Sequence, residues 1–490
     1  MNITITRLDG GLHLDKAPEY LCKYLKYSHR SMSVINFKKT PVFSERLLHQ
    51  TDGKGGLFTL QGFFEHICGL IHKNSDTFKV VDIRSELPEI DWAAVKKVGP
   101  RDYQVEAVIE YLTKGLSNSG IINAAGGYGK TFCQAFTYAA WNSLNTILAI
   151  PLKQVFDQTY EKFKAIFPDK HVGRVGGGHN DISKDITITT FKSLGRCAIE
   201  KCELLLIDEL QGCSGDMIQN VITSLTPKRI FGFTATDEGL FNGADKLVKG
   251  LFGERLVHIP YDEALEVGAV VPGIVYFLRV PQCMITAKTF DGALLQGVKK
   301  CKVRNQLLAQ AVANVPEGWA SITFIDHIHD HLVELYPMMP KGTKFIHRCA
   351  SKKEAGSYAL TAKKQKEIAN EFSNNGFPHL IATDAFRAGV DVPHVRVVFQ
   401  ASSGSSKIEV IQEALRGSRT LSAERMEELG IEEPKTHFVL IDFLDNHDER
   451  LANLAAKRMQ HYEEQGWTIK IVDKVEDIDW RDTGQKPVEL

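Results

Sequence analysis

The stretch Ala124-Ala-Gly-Gly-Tyr-Gly-Lys-Thr131 decides how this chain is read. An apolar run over 120–123 leads straight into it, and a helix-forming stretch over 132–141 follows. Strand, glycine-rich loop and helix in that order make a phosphate-binding loop. Glycines at 126, 127 and 129 permit backbone angles that turn several N–H groups inward. Those groups and the positive end of the helix face the phosphates of a nucleotide, which makes ATP the expected ligand. Lys130 adds a point charge on the same oxygens, and the Thr131 hydroxyl is a ligand for Mg²⁺. The first loop position holds Ala124 rather than glycine. A chance lysine after a glycine-rich turn would carry neither the strand before it nor the helix after it.

Downstream, Leu204-Leu-Leu-Ile-Asp208-Glu209 ends another apolar run in two carboxylates. In a parallel α/β sheet the strand end is where a metal-holding acid belongs. Asp208 is expected to hold Mg²⁺ through water, and Glu209 to orient and deprotonate the attacking water. Acidic strand ends also serve as plain helix caps, and it is the pairing with the phosphate loop that turns this one into a hydrolysis site. Further apolar runs fall at 146–150, 186–189 and 229–233, then at 320–325, 344–346, 379–382, 395–399 and 437–441. Runs without polar alternation suit parallel strands covered on both faces. The fold class is therefore α/β, with two parallel-sheet domains in tandem, 91–270 and 271–490, the passage between them lying between about 260 and 285. A charged helical stretch over 448–465 and a strand over 468–472 extend the second. Residues 1–90 read as a small α+β N-terminal domain, with an alternating run over 3–7, turns over 51–56 and an apolar helix over 63–71.

The 490 residues are 43% hydrophobic and 24% charged, a soluble globular composition that excludes a disordered or fibrous chain. Lys+Arg at 59 against Asp+Glu at 60 leave a net charge of −1, so any grip on nucleic acid must come from local basic patches. Nine scattered cysteines without a CxxC pair argue against a disulfide framework and a zinc ribbon. No run approaches the ~20 apolar residues that cross a bilayer, and no leader pattern opens the chain. A cytoplasmic monomer without membrane partners is expected.

Several segments then fall in an order that carries a resemblance. Pro100-Arg101-Asp-Tyr103-Gln104 stands upstream of the loop, and Thr234-Ala-Thr236 ends an apolar run after Glu209. Ala382-Thr383-Asp384, Gly389-Val-Asp391 and Gln412-Glu-Ala-Leu-Arg416-Gly-Ser-Arg419 follow in the second domain. In this order they resemble the motifs of superfamily 2 helicases over about 95 to 445. The resemblance implies two RecA-like domains, contact of Arg101 and Gln104 with the adenine base, and nucleotide contacts from Gly389, Asp391 and Gln412. It also implies that Arg416 and Arg419, three apart on a predicted helix, reach the γ-phosphate when the domains close. Gln211 stands where the family more often has His or Asp, and Leu415 where it has glycine. The first puts the usual contact between the second and sixth motifs in doubt; the second implies a tighter fit around that helix.

More narrowly, the chain resembles the phage UvsW and T5-like branch-migration helicases. Gly173-Arg-Val-Gly176-Gly-Gly178 ahead of Thr190-Phe-Lys-Ser-Leu194, Leu251-Phe-Gly253 leading to Gly268-Ala-Val-Val-Pro272, and Thr51-Asp-Gly near Gly62-Phe-Phe carry it. The tryptophan that precedes Asp-Gly in that family is absent. This likeness implies DNA as partner, forked or four-way, in phage replication or recombination, and hence a host cytoplasm. It places DNA at Pro151, Lys153, Gly176, Gly177, Thr190 and Phe191, and in the second domain at His347, Arg348 and Thr383. Near the N-terminus, Lys23, Lys26, Arg30, Lys38, Lys39, Arg46 and Lys54 outnumber Glu45 and Asp52, with Tyr20, Tyr24, Tyr27, Phe37 and Phe43 among them. Basic and aromatic residues interleaved suit a nucleic-acid platform, and equally a solvated face over a small core; the resemblance tips the reading to DNA, with Lys38 and Lys39 as contacts. The motifs report ATPase coupling rather than its outcome, so duplex translocation without strand separation and RNA remodelling stay open.

Overall fold

The computed structural model describes residues 1–35, 38–151, 153–197, 201–236, 244–347, 355–383 and 392–484. Within these, only the backbone is described for 32–35, 38–41, 153, 154, 214, 216 and 217. The chain divides into two compact units, Met1–Ala125 with Gly129–Pro260, and Gly126–Tyr128 with Tyr261–Leu490.

The first unit opens with β1 (Asn2–Leu8) and β2 (Gly11–Leu14), which pair antiparallel. A long ribbon follows, β3 (Lys26–Ile35) against β4 (Lys38–Leu47), then β5 (His49–Thr51), β6 (Leu57–Thr59) and β7 (Thr77–Asp82). Strands β5, β6, β2, β1 and β7 form one sheet in that order, whereas β3 and β4 pair only with each other among the described strands. Helix Phe64–Lys73 buries Ile67 and Ile71 against the N-terminal sheet.

The larger sheet of this unit holds β8 (Gly120–Ala124), β9 (Thr146–Ile150), β10 (Val172–Gly176), β11 (His179–Asp181), β12 (Ile186–Thr190), β13 (Leu204–Asp208), β14 (Arg229–Thr234) and β15 (Arg255–Ile259). Their order is β11-β10-β12-β9-β13-β14-β8-β15, parallel throughout except for β11. Strands β8, β9 and β12 are buried along their whole length, as parallel strands covered on both faces are, and none of them carries a charged residue.

One hydrophobic core joins the N-terminal sheet to this larger one: Leu57, Phe63 and Ile71 belong to the same cluster as Ile147, Leu205, Ile230 and Phe252. The contact is close enough to require glycine. A Cβ on Gly62 would stand 2.2 Å from the Lys249 carbonyl oxygen, inside helix Asp245–Phe252. Residues 1–90 thus pack into the first compact unit rather than forming a separately cored one.

The second unit holds β16 (Gly273–Arg279), β17 (Ala320–Phe324), β18 (Lys344–Ile346), β19 (His379–Ala382), β20 (Val395–Gln400), β21 (Phe438–Leu444) and β22 (Thr468–Val472). They form one parallel sheet in the order β18-β19-β17-β20-β21-β16-β22. Helix Glu449–Glu463 is capped by the Asp448 carboxylate, which accepts from the Arg450 N–H at 2.9 Å, and it returns the chain to β22 at the sheet edge. The architecture is two parallel-sheet RecA-like domains with a small α+β layer at the start. No helix among the described residues is long and apolar enough to cross a membrane.

Candidate functional site

In the sheet order of the first unit, β14 lies between β13 and β8. The C-terminal ends of three adjacent strands therefore bring together Thr234, Asp208 with Glu209, and the loop that ends in Lys130 and Thr131. Gly127 and Gly129 take φ of +100° and +107°, left-handed values that a side chain would strain. Helix Lys130–Ala140 starts immediately, so its positive end faces the loop and Thr131 sits in the first turn.

The carboxylates are held by specific partners. Lys130 Nζ lies 3.9 Å from Glu209 Oε1. Gln134, one helical turn beyond Lys130, donates from Nε2 to Asp208 Oδ1 at 2.8 Å. Burial first, and then the Glu209 charge, push the Asp208 carboxyl well above the usual carboxylate range, against the pull of Lys130 and the Gln134 hydrogen bond. Two adjacent carboxylates with one ammonium nearby are short of positive charge, which a divalent cation would supply. Among the described residues no group of three or more His, Cys, Asp or Glu could hold a metal by itself. The donor set fits Mg²⁺ carried on a nucleotide, with Asp208 and Thr131 as the protein's share.

Glu209 has φ +49°, a left-handed value rare outside glycine. The twist ends β13 abruptly and starts the 3₁₀ turn Leu210–Ser214. It also aligns Gln211 with two partners. Gln211 Nε2 donates to Glu209 Oε2 at 2.7 Å, and Gln211 Oε1 lies 2.9 Å from Thr234 Oγ1. Thr234 Oγ1 is also 2.7 Å from the Thr236 carbonyl oxygen, and its single proton serves one acceptor at a time. Gln211 thus ties the Asp208-Glu209 strand end to the Thr234-Ala-Thr236 segment. The sequence had marked Gln211 only as a departure; the roles of Gln134 and Gln211 were missed, although the spacing of four from Lys130 to Gln134 was a usable signal.

Upstream, the buried Gln104 is aimed at the loop: its Oε1 accepts from the Arg101 N–H at 3.1 Å, and its Nε2 would lie 2.8 Å from a Cβ on Gly129. Arg101 Nη1 donates to the Tyr103 hydroxyl at 2.9 Å.

In the second unit, the predicted continuous helix through Arg416 and Arg419 is corrected. Helix Lys407–Ala414, which carries Gln412, stops at its cap Leu415. Arg416 follows in a turn, and Arg419 forms an isolated antiparallel bridge with Val270. Gly417, three residues past the helix, lies where the Phe438 ring leaves no room, a Cβ there standing 2.5 Å from Cδ2. Gly389 and Asp391 lie outside the described residues, as does Arg348.

The sequence-predicted nucleic-acid contacts separate into backbone and interior positions. Gly176, Gly177 and Gly178 run at φ +136°, +60° and +102°, a left-handed stretch in which Gly176 is buried at the end of β10 while Gly177 and Gly178 are exposed. Pro151 is half-buried after β9. Thr190 and Phe191 are buried, and the Phe191 ring belongs to the core. His347 is buried, stacked on Phe345 at 5.8 Å, and its Nε2 lies 2.8 Å from the Tyr358 carbonyl oxygen; burial lowers its pKa and keeps the ring neutral. Thr383 is buried at the end of β19, its N–H on the Ile346 carbonyl at 3.3 Å. As side chains, Phe191 and His347 are committed to the interior. The side chains of Lys38, Lys39 and Lys153 lie outside the described ones.

The strand-end carboxylates, the glycine loop and the two parallel sheets define a phosphate-loop ATPase with two RecA-like domains. Two family models match it: "Type III restriction enzyme, res subunit" over residues 97–239 and "Helicase conserved C-terminal domain" over 329–420. With the fold they support a superfamily 2 helicase, an ATP-hydrolysing class that binds a nucleotide and a metal ion. No curated protein sequence matches the chain. Among solved structures, an HsdR-subunit fragment of a type I restriction enzyme from Vibrio vulnificus YJ016 aligns at TM-score 0.54 and 16% identity, over 96% of this chain and 86% of that one. S. cerevisiae Dbp5 bound to RNA and ADP BeF3 aligns at 0.50 and 13%, over 77% and 95%. The type ISP restriction-modification enzyme LlaBIII bound to DNA aligns at 0.53 and 12%, over 80% of this chain and 33% of its own length. The narrower resemblance to the phage UvsW helicases gains no support from these matches.

Proposed function

We propose that this chain is an ATP-driven DNA helicase acting on branched DNA, where it migrates or remodels forks and four-way junctions. The observation that carries the motor reading is the line of contacts from Lys130, ion-paired with Glu209, through the Gln211 hydrogen bonds to Thr234. Lys130 and the loop N–H groups hold the phosphates, and Gln104 with Arg101 holds the base. Asp208 and Thr131 position Mg²⁺, which supplies positive charge to the phosphate oxygens. Glu209 takes the proton of the attacking water. Gln211 passes a change at Glu209 to Thr234, so that the state of the nucleotide reaches the segment after β14. Arg416 and Arg419 complete the charge around the γ-phosphate, with Gln412, Gly389 and Asp391 as further nucleotide contacts. DNA is gripped at its phosphates, which every nucleotide shares, by the exposed Gly177 beside Gly176, with Pro151 and Lys153 as further contacts.

The neighbours were solved with DNA and with RNA, so the substrate is the point to test. Strand displacement on a fork and branch migration of a four-way junction, run beside an RNA duplex of equal length, separate the outcomes. ATP-dependent movement of the DNA junction is expected. Duplex RNA unwound in preference to any DNA would replace this reading with the RNA one, and ATPase stimulated by duplex DNA without strand separation would replace it with translocation.

A further inference from the structure

The ribbon β3–β4 makes ten cross-strand pairs, from Lys26 with Leu47 to Ile35 with Lys38. Its root is pinned to the motor layer. Lys246, on helix Asp245–Phe252, donates to the carbonyls of Tyr24 and Lys26, and its ammonium sits 3.9 Å from the centre of the Tyr24 ring. Beside that root opens a cleft of about 230 Å³ lined by Tyr27, Arg46, Leu47, Leu48, Gln219 and Asn220. Tyr27 and Arg46 are a directly opposed pair on one face of the ribbon, so the aromatic ring and the guanidinium stand side by side. Gln219 and Asn220 come from helix Asp216–Leu225, which follows the Leu210–Ser214 turn after Glu209.

We infer that this cleft binds one unstacked nucleotide of a single strand. The lining supplies the three contacts such a nucleotide needs: an aromatic face for the base, a planar fork for the phosphate, and carboxamides whose paired donor and acceptor match a base edge. A duplex offers neither a free base face nor an unpaired edge, so the site selects single strands. Because Gln219 and Asn220 sit on the helix just beyond the Glu209 turn, occupancy bears on the element that carries the general base. This inference deepens the nucleic-acid reading above and rests on it.

The test uses the full chain and fluorescein-labelled 15-nucleotide single strands of DNA and of RNA, with a blunt duplex of the same sequence, read by anisotropy. Tyr27→Ala and Asn220→Trp, the latter filling the cleft from an exposed position, are expected to weaken single-strand binding by at least ~5-fold while duplex binding changes less than ~2-fold. Tyr27→Phe, which keeps the ring, is expected to bind as the parent does. ATPase without nucleic acid and the thermal midpoint report whether each variant is folded. Single-strand affinity within ~2-fold of the parent in both Tyr27→Ala and Asn220→Trp, with nucleic acid still stimulating ATPase, would overturn the cleft alone. A parent whose ATPase no nucleic acid stimulates would overturn the function reading with it.

Discussion

Through its carboxamide, Gln211 links Glu209, which faces Lys130, to Thr234 at the next strand end. Gln211→Ala is therefore expected to leave ATPase without nucleic acid within ~3-fold of the parent while reducing the stimulated rate about tenfold, a coupling loss in the range ordinary for linked sites. Equal losses in both rates would assign Gln211 to hydrolysis itself. Asp208 makes a second residue-scale prediction. Its folded carboxyl titrates above the unfolded value of ~4, so between that value and the raised folded one the native state holds a proton the unfolded chain has released. The nucleotide-free protein should lose stability as pH rises from about 4 to about 7, and Asp208→Asn should flatten that slope. Mg²⁺-nucleotide should displace the proton, which calorimetry in buffers of different ionisation enthalpy would register; a buffer-independent enthalpy near pH 6 would speak against it.

At the scale of elements, a buried ion pair ties the last long helix to the second sheet. Arg458 on helix Glu449–Glu463 grips Asp442 of β21 through Nε and Nη2, each at 2.8 Å, and the Tyr462 hydroxyl donates to the same carboxylate at 2.9 Å. Arg458→Met leaves that carboxylate buried without its cation, at a cost of about 3–5 kcal/mol. A fall of several degrees in the midpoint of thermal unfolding is expected, partly recovered by adding Asp442→Leu; an unchanged midpoint would show that the helix is held by packing alone. The same scale shows what sequence could reveal. Strands β9 and β13 were legible because burial on both faces leaves nearly unbroken apolar runs. Strand β10 was read only as a glycine run, since Gly173, Arg174 and Gly176 interrupt it, and β15 was missed because Arg255 and His258 face solvent. The ribbon left only a basic and aromatic composition: Phe43 and Leu47 are 64% and 62% exposed, so no burial imposed an alternating pattern. The loop and the Asp208-Glu209 pair were legible because their chemistry demands fixed residue types. The helix end at Ala414 was not, since its cap Leu415 carries no stop signal in the sequence.

For the whole molecule, the shared core means that the N-terminal layer cannot be removed cleanly: truncation at 90 would strip Leu57, Phe63 and Ile71 from the cluster they complete. The ribbon can be shortened instead. Excising residues 30–43 and joining His29 to Ser44, an opposed pair, through Asn-Gly preserves the root and the register. That variant is expected to keep its thermal midpoint and its ATPase without nucleic acid, and to lose affinity for forked and four-way DNA in gel-shift titrations; unchanged junction affinity would remove the ribbon from the DNA grip. The central claim, that nucleotide hydrolysis in this fold is tied to a branched nucleic-acid track, is tested most directly by steady-state ATPase rates measured with single-stranded, duplex, forked and four-way DNA and with RNA, Lys130→Ala serving as the inactive control. The account predicts no turnover in the control and the largest stimulation of the parent by forked or four-way DNA. A rate that no nucleic acid changes would contradict it.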